Sequence, residues 1–157
     1  MGEGGPHKLL AEFDGEPLVR RAAETALSAD VAPLIVLTGH RRSEIEATLC
    51  GLSVAVVENP EYASGMASSL ISGFSASLAR DADGVLVMLA DMPGETSADL
   101  DALTAAFRAA SGRAIVRAVS RGKRGNPVTL PRSLGHAVMR RIWTWIRPRP
   151  CWRPVAF

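Results

Sequence analysis

Cysteine is nearly absent. Cys50 and Cys151 lie far apart, and neither has a Cys or His at metal-ligand spacing, so neither a zinc site nor a disulfide framework is indicated. Histidine is almost as scarce. His7, His40 and His136 lie in different parts of the chain with no Ser or Cys partner suggested, and no catalytic triad emerges. No apolar run approaches the roughly 18 residues of a membrane-spanning helix. The opening residues MGEGGPHK lack the basic start and apolar stretch of a secretion signal. These absences lead to the expectation of a soluble, cytoplasmic protein.

Acidic residues are missing from a whole region. All 16 lie at or before Asp101, where there are only six Lys and Arg. The remaining 12 Lys and Arg lie beyond it, without one carboxylate. Such asymmetry can mark a nucleic-acid or membrane surface.

What the sequence does have is a globular composition, with 47% apolar and 22% charged residues over 157 positions, enough for one domain with a core. Apolar, β-branched runs alternate with helix-period stretches. Strands are expected over 33–38, 53–58 and 84–90, with weaker ones over 113–118 and 127–130. Helices are expected over 17–28, with Pro17 in the first turn, and from a Ser43 cap with Glu46 completing a capping box. Two more are expected over 64–79, with Met66, Leu70, Phe74 and Leu78 on one face, and from a Ser97 cap to Ala109, with Leu100, Leu103 and Phe107 inward. Alternation of this kind implies an α/β fold of Rossmann-like type, a doubly wound, mostly parallel sheet with helices on both faces. Ligands in such sheets bind beyond the carboxyl ends of the strands.

Several polar residues fall at those ends. Asp91 closes an apolar strand and is either a ligand for a hard cation or a turn-capping carboxylate. Lys8 follows a glycine-rich stretch, which suits phosphate but also suits a flexible end. Residues 64–69 open a helix with small residues, either for an anion or for ordinary capping. Residues 122–128 form a basic, glycine-flanked loop, either an anion site or a solvated hairpin tip.

In order along the chain, Lys8-Leu9-Leu10, Asp14-Gly15-Glu16-Pro17-Leu18-Val19 and Val36-Leu37-Thr38-Gly39-His40 resemble the front half of MobA-like nucleotidyltransferases. Asn59-Pro60-Glu61-Tyr62, Gly65-Met66-Ala67-Ser68-Ser69-Leu70, Leu89-Ala90-Asp91-Met92-Pro93 and Arg124-Gly125-Asn126-Pro127-Val128 continue the pattern. The resemblance is nearest to the molybdopterin cytidylyltransferase branch. It implies catalytic roles for Lys8 and Asp91, with Mg²⁺ on Asp91. It implies nucleotide binding by Gly2, Lys8, Gly39, Gly65, Ser68 and Ser69, and acceptor binding by Arg124, Gly125, Asn126 and Pro127. The implied reaction joins CMP from CTP to a molybdopterin-type phosphate, releasing pyrophosphate. No nucleic-acid or membrane partner is implied, and a molybdoenzyme or its chaperone would receive the product. The alternatives are a catalytically impaired nucleotide-binding module, and transfer to another acceptor in a guanylyl or sugar-phosphate branch.

Against the family pattern, the chain is expected to lack the first strand and its glycine-rich loop, with Met1 an internal methionine. The nucleotidyltransferase domain is expected over 1–132. A divergent basic tail with all three tryptophans follows over 133–157, with a change of reading frame expected near Arg140.

Overall fold

A computed structural model describes residues 8–39, 41–78 and 81–135. Gly2, His7, His40, His136, Cys151 and the three tryptophans of the tail, all named above, lie outside the described residues.

The chain begins with a 3-10 turn at Lys8–Leu10 and a small hairpin of β1 (Glu12–Phe13) and β2 (Glu16–Pro17). There follow α1 (Leu18–Leu27), β3 (Ile35–Thr38), α2 (Arg42–Thr48), β4 (Ala55–Glu58), α3 (Met66–Leu78) and β5 (Gly84–Val87). The last elements are α4 (Ser97–Ala109), β6 (Val116–Ser120) and β7 (Lys123–Pro131). β3 and β4 pair in parallel, Ile35 opposite Ala55 through Thr38 opposite Glu58. β7 lies between β5 and β6 and runs antiparallel to both. The expected crossover to a parallel last strand is not made, because Arg121-Gly122, both at positive φ, turn β6 straight back into β7. Among the described residues, no ladder joins the β3–β4 pair to the β5 sheet.

The β3–β4 pair is covered on both faces. Val19 and Ala23 of α1, with Ile45 and Leu49 from α2 and its end, form one buried cluster against Leu34, Val36, Val54 and Val56. Leu37, one residue out of phase, points the other way. There a Cβ at Gly73 of α3 would come within 3.0 Å of its Cδ1, so the missing side chain sets how near the helix lies. Phe74 of the same helix is 1% exposed. α4 covers the other sheet with Leu100, Leu103 and Phe107 buried, as the periodicity predicts. Gly84 lets the Phe107 ring cross β5, since a Cβ there would collide with the ring and with the Leu130 carbonyl.

Four expectations need correction. Met66 does not join the core face of α3; it stands 63% exposed in the first turn. Ser43 does not cap α2, because Arg41, in the left-handed region at φ 59°, occupies the cap position and Ser43 falls inside the helix. Ser97 likewise lies inside α4. Thr96 is the cap: it accepts from the Asp99 N–H while Asp99 returns a bond to the Thr96 N–H, a complete capping box. Finally, residues 124–127 do not form a loop. They belong to β7, whose strand begins at Lys123.

Candidate active site

Lys8 and Asp91, 83 residues apart in sequence, meet: Lys8 Nζ donates to Asp91 Oδ2 at 2.6 Å. One apolar cluster fixes both. Leu9 and Leu10, which follow Lys8 in its 3-10 turn, pack on the α1–α2 cluster, and so does Ala90, the residue before Asp91. β5 ends at Val87 rather than running to residue 90, so Asp91 lies in a turn beyond the strand, held there beside the lysine. The Lys8 hydrogen bond holds the Asp91 carboxyl below its ordinary pKa, against the smaller opposing effect of partial burial. With the Lys8 side chain 72% exposed and Asp91 32%, the ion pair contributes about 0–1 kcal/mol to stability.

Residues 59–69 form a second, internally bonded region. Asn59 is 2% exposed at the end of β4. Its Nδ2 donates to Ser68 Oγ at 2.8 Å and Ser69 Oγ at 3.0 Å. Its Oδ1 accepts from the Glu61 N–H at 3.0 Å, and its own N–H donates to the Thr38 carbonyl at 2.7 Å. Ser68 Oγ, besides accepting from Asn59, lies 2.8 Å from both the Glu61 and Gly65 carbonyls, which share its single proton. Ser68 is thus buried and engaged within the chain, whereas Ser69 is half-buried. Gly65, at φ 109° and ψ −178°, holds a conformation open essentially to glycine alone and turns the loop into α3. Gly39 closes the region from the β3 side, because the Tyr62 side chain packs where its Cβ would be. The Thr38 hydroxyl is buried there without a partner.

A cleft of about 970 Å³ opens one residue beyond Asp91, between the Met92–Asp99 segment and the β6–β7 hairpin. Its lining includes Arg124, Gly125, Asn126 and Pro127. The ladder explains why these residues face the cleft. Arg117 pairs with Val128, but Val119 pairs with Arg124, so Gly125, Asn126 and Pro127 together oppose the single residue Ala118. β5 pairing has ended by Val128, so Pro127 needs no donor on that side. The bulge carries these residues out of the ladder and into the cleft wall.

Glu95, in the same wall, was not singled out by sequence. Both its carboxylate oxygens are buried without a hydrogen-bond partner. Burial, then Asp99, then Asp91 push its pKa up to about 6. The available signal was its spacing, four residues beyond Asp91 and four before Asp99, which gathers three carboxylates in one short segment. Asn59 and the Thr96 cap also went unread as organising residues.

A lysine–carboxylate pair beyond the strand ends, one residue from a cleft with a basic hairpin, suits an α/β enzyme that handles phosphate-bearing ligands. Residues 1–143 match the MobA-like NTP transferase domain, and the chain belongs to that family; it is a nucleotidyltransferase. No curated protein matches it. Among solved structures it is similar to Rv0371c of Mycobacterium tuberculosis H37Rv, with 23% identity and a TM-score of 0.73, covering 90% of this chain and 74% of that one. The manganese complex of Rv0371c gives 25% identity and a TM-score of 0.66, with coverages of 91% and 76%. A nucleotidyl transferase from Methanothermobacter thermautotroptrophicus (Mth528) is 27% identical, with a TM-score of 0.67; the match covers 84% of this chain and 62% of that one. CMP:2-keto-3-deoxy-manno-octonic acid synthetase, solved with CTP, shares the fold at 15% identity, with a TM-score of 0.66 and coverages of 89% and 73%. The α/β, Rossmann-like fold expected from sequence agrees with these neighbours. No described helix is long and apolar enough to cross a membrane.

Proposed function

We propose that the chain transfers CMP from CTP to the phosphate of a molybdopterin-type acceptor. An acceptor phosphate oxygen attacks the α-phosphorus of CTP, a new phosphoanhydride bond forms, and the bond to the β-phosphate breaks with pyrophosphate as leaving group. The observation that carries this reading is the 2.6 Å contact between Lys8 and Asp91, one residue before Met92 in the wall of a cleft that a basic hairpin also lines. In such chemistry the protein mainly positions the reactants and neutralises charge.

Lys8 exchanges Asp91 for triphosphate oxygens and steadies them during attack. Gly39, Gly65, Ser68 and Ser69 form the nucleotide side, Ser68 by holding the loop and Ser69 by contact; Gly2 is assigned there on the family pattern. Arg124, Gly125, Asn126 and Pro127 border the acceptor. Asp91 is the metal ligand. Among the described residues, no group of three or more His, Cys, Asp or Glu is arranged to hold a metal ion. A single carboxylate suits Mg²⁺, which takes one or two carboxylates and completes its shell with phosphate and water. Bound there, the ion supplies positive charge to the phosphate oxygens. The manganese complex of Rv0371c and the CTP complex of the synthetase support this choice of ligands. The protein acts in the cytoplasm, without nucleic acid, and hands its product to a molybdoenzyme or its chaperone.

The test is pyrophosphate release by the chain with CTP, Mg²⁺ and molybdopterin. Release that requires the acceptor, with GTP a poor substitute, is expected. CTP binding without release, or equal use of GTP, defeats the proposal.

A further inference from the structure

We infer that the cleft beside β7 takes an acceptor that is anionic at one end and carries paired N–H donors at the other, and that Glu95 is the residue that reads those donors. The inference rests on the transfer reading above and adds to it the chemistry of the acceptor's far end.

The carboxylates of the 91–99 segment are not equivalent. Asp91 accepts from Lys8. Asp99 accepts from the Thr96 N–H at 3.0 Å and the Thr96 hydroxyl at 2.6 Å. Glu95 alone has no donor, although both its oxygens are withdrawn from water. A charged group in that state is costly, and a donor that reaches it removes the cost. Candidates for such a donor inside the protein are close by. Arg121, Lys123 and Arg124 line the same cleft. None bonds to Glu95, and their side chains make no hydrogen bond or ion pair with the described residues. Among the described residues, the hairpin side of the cleft therefore carries cations without a side-chain partner, and its other wall holds a carboxylate whose oxygens are buried and lack a donor, in a cleft of about 970 Å³.

A phosphate ester long enough to bridge that space satisfies both sides at once. Its anionic end meets the hairpin cations. Glu95 lies in the cleft wall with both carboxylate oxygens buried. Reading a ligand there requires its side chain to turn on binding, so that the two oxygens meet the ligand as a planar fork suited to two parallel N–H donors. The amino-pyrimidine edge of a pterin has such a pair; a sugar phosphate has none. A second metal at Glu95 is a poorer fit, since no cluster of three or more acidic, His or Cys ligands forms among the described residues.

The experiment is calorimetric titration of the full chain and its Glu95→Gln variant with two phosphate monoesters, 6-hydroxymethylpterin phosphate and glucose 1-phosphate. Gln keeps the shape and removes the charge, and Glu95→Leu repeats the test with no acceptor atom. The expected result is pterin phosphate binding at least roughly tenfold weaker in both variants, because charge-assisted bonds are lost, with glucose 1-phosphate unchanged. Equal pterin phosphate binding by all three proteins overturns this inference and leaves the transferase reading intact. An equal loss for both phosphates also overturns it, since Glu95 would then shape the cleft without reading donors. Binding of neither phosphate removes the inference, and pyrophosphate release from CTP with molybdopterin, measured in parallel, decides separately whether the transfer reading stands.

Discussion

The 59–69 loop and the cleft beside β7 treat polar groups in opposite ways. In the loop, Asn59, Ser68, Ser69 and the Glu61 amide satisfy one another. In the cleft wall, Glu95 has both carboxylate oxygens buried without a donor, and Arg121, Lys123 and Arg124 make no side-chain hydrogen bond or ion pair with the described residues. Satisfied buried groups rigidify a segment. A buried carboxylate without a donor raises its energy until a ligand arrives, while the exposed cations beside it are solvated. The contrast separates a region prebuilt by its own hydrogen bonds from one whose partners come from outside.

The largest expected effect comes at the Lys8–Asp91 pair, which neither the loop's hydrogen bonds nor the cleft lining includes. Asp91→Asn is expected to lower kcat/KM for pyrophosphate release about 10³-fold, equivalent to about 4 kcal/mol of transition-state stabilisation. Stability should change by under about 1 kcal/mol, because the pair is largely exposed. Steady-state kinetics together with urea unfolding checks both halves. A large stability loss with little change in turnover would make Asp91 structural, and its strand-end position a turn cap after all.

Asn59→Ala attacks the prebuilt side. It leaves a buried serine hydroxyl and the Glu61 N–H short of partners, and a loss of about 2–3 kcal/mol is expected in urea unfolding. Gly65→Ala comes next, at about 2 kcal/mol, because the new Cβ must enter a backbone region essentially reserved for glycine. Nothing within 4 Å opposes that Cβ sterically, so the cost is conformational. Loop displacement in either variant should raise the KM for CTP more than it lowers kcat. If both variants keep wild-type stability, the loop is not the rigid half of the pair.

Sequence made the two regions unequally legible. The strands before Thr38, Glu58 and Asp91 were readable because continuous apolar runs mark strands covered on both faces, and the α4 core positions followed from a 3.6-residue period. The position of Asp91 beyond its strand was readable for the same reason. Its contact with Lys8 was not a matter of local pattern, since it depends on Leu9, Leu10 and Ala90 meeting in one apolar cluster. The cap of α2 was misread because Ser43-x-x-Glu46 is a sound local signal, but Arg41 took the left-handed cap position after Gly39. The bulge at 125–127 was also hidden. A ladder shift depends on which strand lies opposite, and glycine with proline reads locally as a loop. Glu95 went unread because its spacing from Asp91 and Asp99 assigns it no role until burial without a partner is seen.

Glu95 also yields the smallest expected effect. Burial, Asp99 and Asp91 raise its pKa from 4.5 in the unfolded chain to about 6 in the folded one. Between those values the folded protein holds more protons than the unfolded chain, so stability falls as pH rises through the window. The penalty is absent below about pH 4 and complete above about pH 7. The interval corresponds to about 2 kcal/mol, and solvent screening of a half-buried group brings the expected value nearer 1 kcal/mol. Glu95→Gln should therefore be more stable than the wild type at pH 7, and the two should converge toward pH 4. Urea unfolding of both proteins at intervals across that range reads the difference directly. Curves that stay parallel would mean the carboxylate is already satisfied in solution, and the contrast with the hydrogen-bonded 59–69 loop would be lost.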